Sequence, residues 1–286
     1  MPRYLPVVLV LITTTLSLAF VPFHSPPFLK TLNKAVSKRN LVAPINPFPS
    51  STSTSLNGWG PDPIFLPSPV STRTKLTDGV VGIKLEYTRG EEFTSPGQYV
   101  QVRSGVDDAD DRTVGYYAIT SPSPLPSSSL DLVVKVNDGN GYMTTDDVLE
   151  VSQVMGSGFD GTKISGCDCL VVVCTGTGMG PCYSYLTSEG DEERGKRKGG
   201  TKVYWGTRDS SWGDQWVSKL EGMGVSVIRV YSGGEGGRYV QDKVKEDGVM
   251  GEGKAVMVVG QKGMFEDVKE EAIKRGVEEG RIFSNF

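Results

Sequence analysis

The 286-residue chain holds a single histidine, His24, and its four cysteines, Cys167, Cys169, Cys174 and Cys182, crowd into one short stretch. With no histidine in the body there can be no Ser-His-Asp triad, no HExxH zinc site and no histidine general base. The clustered cysteines have no histidine or second cluster to complete a tetrahedral set, so they read as buried thiols rather than zinc ligands. Nor are they spread as the framework of a disulfide-stapled secreted domain. Acid is missing from the first 58 residues, which carry Arg3, Lys30, Lys34, Lys38 and Arg39. Removing those five bases leaves 25 basic against 34 acidic residues, so residues 59–286 carry −9 although the whole chain carries −4. An acidic body lacks the basic footprint of a nonspecific nucleic-acid binder and has no general attraction to anionic membranes. A composition 37% hydrophobic and 22% charged excludes a collagen, a coiled coil, a polytopic membrane protein and a fully disordered chain. The length suits one large domain or two ordinary ones.

The N-terminus reads as an address. Arg3 followed by Val7 to Ile12, Leu16 to Leu18 and Ala19 gives the charged, apolar and small-residue order of a signal peptide over residues 1–19. The apolar core is too short and too interrupted by threonine for a transmembrane span. Residues 20–58 are basic and rich in Ser, Thr and Pro, the composition of a transit peptide. A signal joined to such a segment at Ser17-Leu18-Ala19-Phe20 resembles the bipartite plastid presequences of algae with secondary plastids. The alternative is ordinary secretion with a disordered linker.

The body divides by rhythm. Residues 59–71 contain four prolines and read as an irregular lead-in. Over 72–164 the pattern is short and strand-like: Val80 to Tyr87, Tyr99 to Arg103 after Pro96-Gly97, Tyr116 to Thr120, and Leu130 to Val136. Residues 141–150 are the one expected helix there. Such spacing predicts an antiparallel barrel or sandwich. Over 165–286 strands alternate with helices. Strands are expected at Cys169 to Cys174, Lys202 to Trp205, Val225 to Tyr231 and Ala255 to Val259. Helices are expected at Pro181 to Glu189, Gln215 to Met223, Val240 to Asp247 and Met264 to Gly276. Continuous apolar strands separated by helices predict a doubly wound parallel sheet. Glu189 to Gly200 reads as a solvated loop.

Thr175-Gly176-Thr177-Gly178-Met179-Gly180-Pro181 follows the strand CLVVVC and opens a helix. Glycines let a backbone approach a pyrophosphate closely, and the N–H groups and dipole of a helix start stabilise its charge. Pro181 suits the first helical turn, although it replaces the last glycine of the usual GxGxxG pattern. No acidic ribose ligand is evident at the end of the next strand.

These residues, in this order, resemble the ferredoxin-NADP reductase superfamily of flavin oxidoreductases over residues 75–286. Pro96-Gly97-Gln98-Tyr99-Val100 resembles the early barrel strand, and Tyr116-Tyr117-Ala118-Ile119-Thr120-Ser121-Pro122 the flavin-contacting strand. Gly141-Tyr142-Met143-Thr144-Thr145 resembles the flavin pyrophosphate loop, and Val259-Gly260-Gln261-Lys262-Gly263-Met264 the late loop near the nicotinamide. The resemblance implies a flavin-binding β-barrel followed by an NAD(P)-binding α/β domain, with FAD and either NADPH or NADH as cofactors. It implies Tyr117 against the isoalloxazine, the backbone of Ile119 and Thr120 at the ring's polar edge, and Gly141, Met143 and Thr144 on the phosphates. Tyr239 takes the adenine side, and the terminal Phe286 covers the flavin or caps the last strand. Arg208, Arg229 and Arg238 are candidate cations for a 2′-phosphate. The chain departs from the family's Arg-x-Tyr-Ser by carrying Gly115 and Ala118, with Arg103 and Arg112 as possible substitutes for the lost cation. Val259 stands where a cysteine often sits. The implied activity is hydride transfer from NAD(P)H to FAD and onward to an unidentified acceptor, a small molecule or a redox protein docking on a basic patch such as Arg194 to Lys198. The rival is a cofactor-binding redox sensor or interaction subunit with little turnover.

Overall fold

The computed structural model describes residues 62–106, 113–125, 128–208, 210–234 and 236–284, all within one compact unit. The expected signal and transit segments, His24, Arg112 and Phe286 lie outside the described residues.

The first half is an antiparallel sheet of six strands: β1 (Leu66–Thr77), β2 (Val80–Glu86), β3 (Tyr99–Ser104), β4 (Gly115–Ala118), β5 (Ser129–Lys135) and β6 (Val148–Val151), with α1 (Tyr142–Thr145) before β6. Their order is β4-β3-β6-β1-β2-β5. The two outer strands meet through an Ile119–Leu132 bridge and a Thr120 N–H to Asp131 C=O bond of 2.9 Å, which curls the sheet into a barrel. Alternation supplies the core: Ile83, Leu85, Val100, Val102, Ile119, Leu130, Leu132 and Leu149 are all buried within it.

Two expectations are corrected here. The lead-in is not wholly irregular, because β1 begins at Leu66 and carries Pro67 and Pro69. Over Leu66–Pro69 this strand pairs only with β6, and pairing with β2 starts at Val70. The Val70 N–H points to Asp147 on the β6 side, so by alternation the proline nitrogens face the unpaired side, where a missing donor costs nothing. The helix expected over 141–150 is only the four residues of α1. Val148-Leu149-Glu150-Val151 instead fills the middle of the sheet between β3 and β1, with Leu149 and Val151 buried.

The second half contains β7 (Cys169–Thr175), α2 (Met179–Ser188), α3 (Asp191–Gly195), β8 (Thr201–Thr207), α4 (Asp214–Gly222), β9 (Val225–Tyr231), α5 (Val240–Asp247), β10 (Lys254–Val259), α6 (Lys262–Lys274) and β11 (Ile282–Phe283). The sheet is parallel throughout, in the order β11-β10-β7-β8-β9. The chain runs outward from β7 to β9 and then crosses back to β10 on the other side. That reversal leaves a crevice between the ends of β7 and β10, where open α/β sheets take their ligands. Residues 170–174 are fully buried, as a strand covered on both faces requires.

The segment 189–200 is largely exposed, as expected, but it is not all loop: α3 lies within it and Arg197 is buried. Arg197 is buried in an ion pair with Glu189, and its guanidinium also donates to Thr201 Oγ1 at 2.7 Å. Arg194 donates to the Leu186 carbonyl at 3.0 Å, capping α2, and pairs with Asp191, while Lys196 pairs with Glu192 and Glu193. The expected basic patch is therefore largely neutralised by its own neighbours. Arg197→Ala would leave Glu189 buried and unpaired. It is expected to lower stability by about 3 kcal/mol in urea unfolding, and a loss under about 1 kcal/mol would rule out the buried pair.

Candidate functional site

A cleft of about 930 Å³ runs between the barrel and the parallel sheet. Its barrel wall is made by Tyr99, Gly115, Tyr116, Tyr117 and Ala118, then Val133 and Lys135 of β5 with Asn137 and Asn140 beyond it. Gly97 and the turn Gly156-Ser157-Gly158 close one side. The opposite wall is Thr177, Gly178 and Pro181 from the loop after β7, Val259 and Gly260 at the end of β10, and Ser284. Both switch-point loops therefore face the barrel strand.

Glycines make the approach possible. A Cβ on Gly178 would sit 2.8 Å from the Val259 carbonyl oxygen, and one on Gly260 would sit 2.5 Å from Thr175 Oγ1 and 2.6 Å from Met264 Cε. Gly180 is packed against Thr120, whose Oγ1 would lie 2.7 Å from a Cβ there. Thr120 Oγ1 is buried and makes no hydrogen bond among the described residues. Ser184 donates to the Ser121 carbonyl at 2.5 Å and Ser123 N–H to Ser188 Oγ at 2.6 Å, so α2 is fastened to the segment that follows β4.

Among the described residues, Lys135 is the one charged residue on the cleft wall, and no carboxylate, histidine or cysteine side chain lines it. Within an acidic body this leaves a locally cationic, mostly uncharged slot. Burial pushes the Cys174 thiol well up, with help from Cys182, and raises Cys169, so these thiols stay protonated. Among the described residues no group of His, Cys, Asp or Glu side chains is arranged to hold a metal.

Of the residues singled out by sequence, Tyr116, Tyr117, Ala118, Thr177, Gly178, Pro181 and Gly260 line the cleft. Register separates the tyrosines. Tyr117 pairs with buried Val100 and packs on the barrel core, whereas Tyr116 pairs with Gln101, is 66% exposed and lies 6.0 Å from the Tyr99 ring. Ile119 is fully buried, and its N–H donates to the Gln98 carbonyl at 3.0 Å, so neither it nor the engaged Thr120 N–H is free for a ring edge. Met143 is buried in the barrel, its N–H bonded to Asn140 O at 3.0 Å. The Thr144 N–H and hydroxyl both donate to Gly141 O. Tyr142 packs on the barrel core and donates to Val102 O at 2.9 Å. Gly141 starts this short turn with open space beside it.

On the other wall, Met179 is buried beside Cys174, and Gly180 is buried under Thr120. Thr175 ends β7, Gly176 adopts φ of 51°, and Met264 is a buried residue of the first turn of α6. Arg208, Arg238 and Tyr239 do not line the cleft. They follow β8 and precede α5, where the bare Gly206 lets Val240 close in, and Tyr239 is 65% exposed. Arg238 pairs with Glu246. Arg229 is held by Asp214 at 2.7 Å and lies 5.3 Å over Trp205, so it is a packing cation. Arg103 pairs with Glu150 at 2.6 Å and sits on Phe65. Sequence reading missed Lys135, Asn137, Asn140, Gly156 to Gly158 and Ser284 as wall residues. The Asn-Asp-Gly-Asn and Gly-Ser-Gly turns were the available signals.

An antiparallel barrel joined to a parallel switch-point sheet, with the cleft between them, defines the ferredoxin-NADP reductase-like fold. No family model matches the chain. The structure superposes on a ferredoxin NADP+ reductase from Neisseria gonorrhoeae solved with bound FAD and NADP, with a TM-score of 0.64 at 14% identity over 78% of this chain and 99% of that one. It also superposes on the Amycolatopsis cytochrome P450 reductase GcoB, with a TM-score of 0.63 at 18% identity over 78% of this chain and 69% of that one. For the CS-b5R domains of human Ncb5or in the NAD+ form the TM-score is 0.62 at 14% identity, covering 79% and 70%. In sequence, fruit protein pKIWI502 of Actinidia deliciosa is 26% identical over 248 residues, covering 78% of this chain and 76% of that protein.

Proposed function

We propose that this protein is an NAD(P)H-dependent, FAD-containing oxidoreductase that passes electrons through the flavin to a separate acceptor. The observation that carries the reading is the cleft: the switch-point loops of the parallel sheet face the barrel strand β4 across it. The glycine-lined wall and the orphaned Thr120 hydroxyl beside it fit a polar group that closely approaches the backbone. The solved relatives with FAD and NADP, or NAD+, have the same two-part fold.

In this reading the barrel wall takes FAD along Tyr117 and Ala118, with Lys135 supplying the positive charge that Gly115 does not. The loop with Thr177, Gly178 and Pro181 cradles the coenzyme diphosphate, Gly260 lies at the nicotinamide end, and Tyr239 and Arg208 at the adenosine end. When bound, the two cofactors supply hydride exchange between nicotinamide C4 and flavin N5. The chain's residues supply position: they hold two rings in contact and exclude water. Among the described residues no carboxylate, histidine or thiol side chain lines the cleft, in keeping with that division of labour. The acceptor is a small molecule or a redox protein. Of the expected Arg194 to Lys198 patch, Arg194, Lys196 and Arg197 are paired with neighbouring acids, which favours an acceptor that needs no strongly basic dock.

The test is an anaerobic absorbance spectrum of the purified full chain with FAD, before and after NADPH and then NADH. A flavin band that bleaches with either coenzyme is expected. Flavin that stays oxidised with both, or FAD that does not bind, would overturn the reading.

A further inference from the structure

Gly176 adopts φ of 51° in the loop after β7, and its carbonyl accepts from the Met179 N–H and from Trp205 Nε1 at 3.0 Å. Both lone pairs are therefore engaged inside the protein. A planar trans peptide sets C=O and N–H in opposite directions, so a carbonyl pinned inward turns the Thr177 N–H outward, on the residue that lines the cleft. Were that peptide to flip, a carbonyl dipole would face an incoming phosphate instead of a donor.

Trp205 is itself immobilised. It is fully buried on β8, with Trp212 at 4.9 Å edge-on and Trp216 at 6.4 Å in a stacked arrangement. The Arg229 guanidinium lies over its ring. Gly213, at φ of 88°, presents a bare Cα where a Cβ would sit 2.2 Å from Trp205 Cη2. Trp216 in turn stacks on Tyr183 of α2 at 5.2 Å, so the frame returns to the helix that the loop opens.

We infer that Trp205 is a positioning residue for the coenzyme diphosphate, its indole N–H locking the Gly176–Thr177 peptide in the donor-outward state. This rests on the coenzyme reading above. It adds a determinant outside the glycine loop, one strand away, that touches no ligand.

The test compares full-length wild type, Trp205→Phe and Tyr204→Phe. The last removes a hydrogen bond from the same strand on its opposite face, where Tyr204 donates to Asp247 at 3.0 Å. ADP-ribose, which carries the diphosphate, is titrated by calorimetry beside adenosine 5′-monophosphate, which does not. Trp205→Phe is expected to weaken ADP-ribose about tenfold, the scale of one lost hydrogen bond to an ordered group, and to leave the monophosphate unchanged. Tyr204→Phe leaves both unchanged. In turnover, KM for the coenzyme rises while kcat at saturation holds. Wild-type ADP-ribose affinity in Trp205→Phe, or equal losses in both variants, would overturn the inference. If Trp205→Phe does not fold, the wild-type indole N–H resonance, assigned through its contact with Gly176, decides. It should exchange slowly with solvent and shift on adding ADP-ribose; fast exchange or no shift overturns the inference. Wild type that bleaches with NAD(P)H while Trp205→Phe binds normally defeats this inference alone. Wild type that never bleaches defeats the functional reading.

Discussion

Gly115→Arg, which restores the residue of the family pattern, is expected to weaken FAD binding at least tenfold rather than improve it. The reason is Tyr117. Its side chain folds back over position 115, so a Cβ there would lie 2.3 Å from the Tyr117 hydroxyl and 2.5 Å from Cε2. The hydroxyl accepts from Asn140 Nδ2 at 3.3 Å, and Asn140 also donates to the Lys135 carbonyl at 3.0 Å and accepts the Asn137 N–H at 2.7 Å. Any side chain at 115 therefore expels the tyrosine from the wall and loosens the turn that holds Lys135. Overpacking of this kind costs about 1–3 kcal/mol. Gly115→Ala should reproduce most of the loss, since the first carbon already collides. FAD fluorescence titration with a melting curve checks both variants. Tighter FAD binding by Gly115→Arg at unchanged melting temperature would show that the arginine is tolerated and that Tyr117 is not bound to its place.

Gly178→Val is expected to abolish coenzyme binding, with at least a hundredfold loss of NAD(P)H affinity. Gly178 has an ordinary helical φ of −60°, so backbone conformation is not the obstacle. The obstacle is the Val259 backbone, with its carbonyl oxygen 2.8 Å and carbonyl carbon 3.3 Å from the position of the Cβ. A backbone group cannot rotate away as a side-chain tip does. The loops after β7 and β10 must then separate at the crevice where they jointly face the barrel. Gly190→Val, at a position with open space around it, is the matched control and should bind coenzyme normally. Equal affinities for the two variants would mean that the close loop contact does not shape the site.

Both effects depend on contacts that local sequence does not display. Gly115 read as a lost arginine because a sequence shows which side chain is missing and not which neighbour has moved into its space. Lys135 went unremarked because its strand β5, although next after β4 in the chain, pairs with β2 at the other end of the sheet order, and only barrel closure at Ile119–Leu132 brings it beside Tyr117. The buried Arg197 looked like part of a solvated charge run, since an acidic block followed by a basic one gives no hint that one cation is buried against Glu189.

What local chemistry could dictate was legible. Period-two alternation marked β2, β3 and β5. The unbroken apolar run Cys169 to Cys174 marked the doubly covered central strand, and the glycine-proline segment after it marked the switch-point loop. These signals are carried by neighbouring residues and survive without a fold. Long-range pairing decided the rest. Residues 148–151 became a strand because a gap between β3 and β1 needed filling, and Pro67 and Pro69 could join β1 because no partner lies on their donor side. Trp205 came to hold Gly176 because parallel pairing sets Cys174 beside it. Each of these depends on free energy gained by burying groups distant in sequence, and such burial is defined only once the tertiary structure has formed.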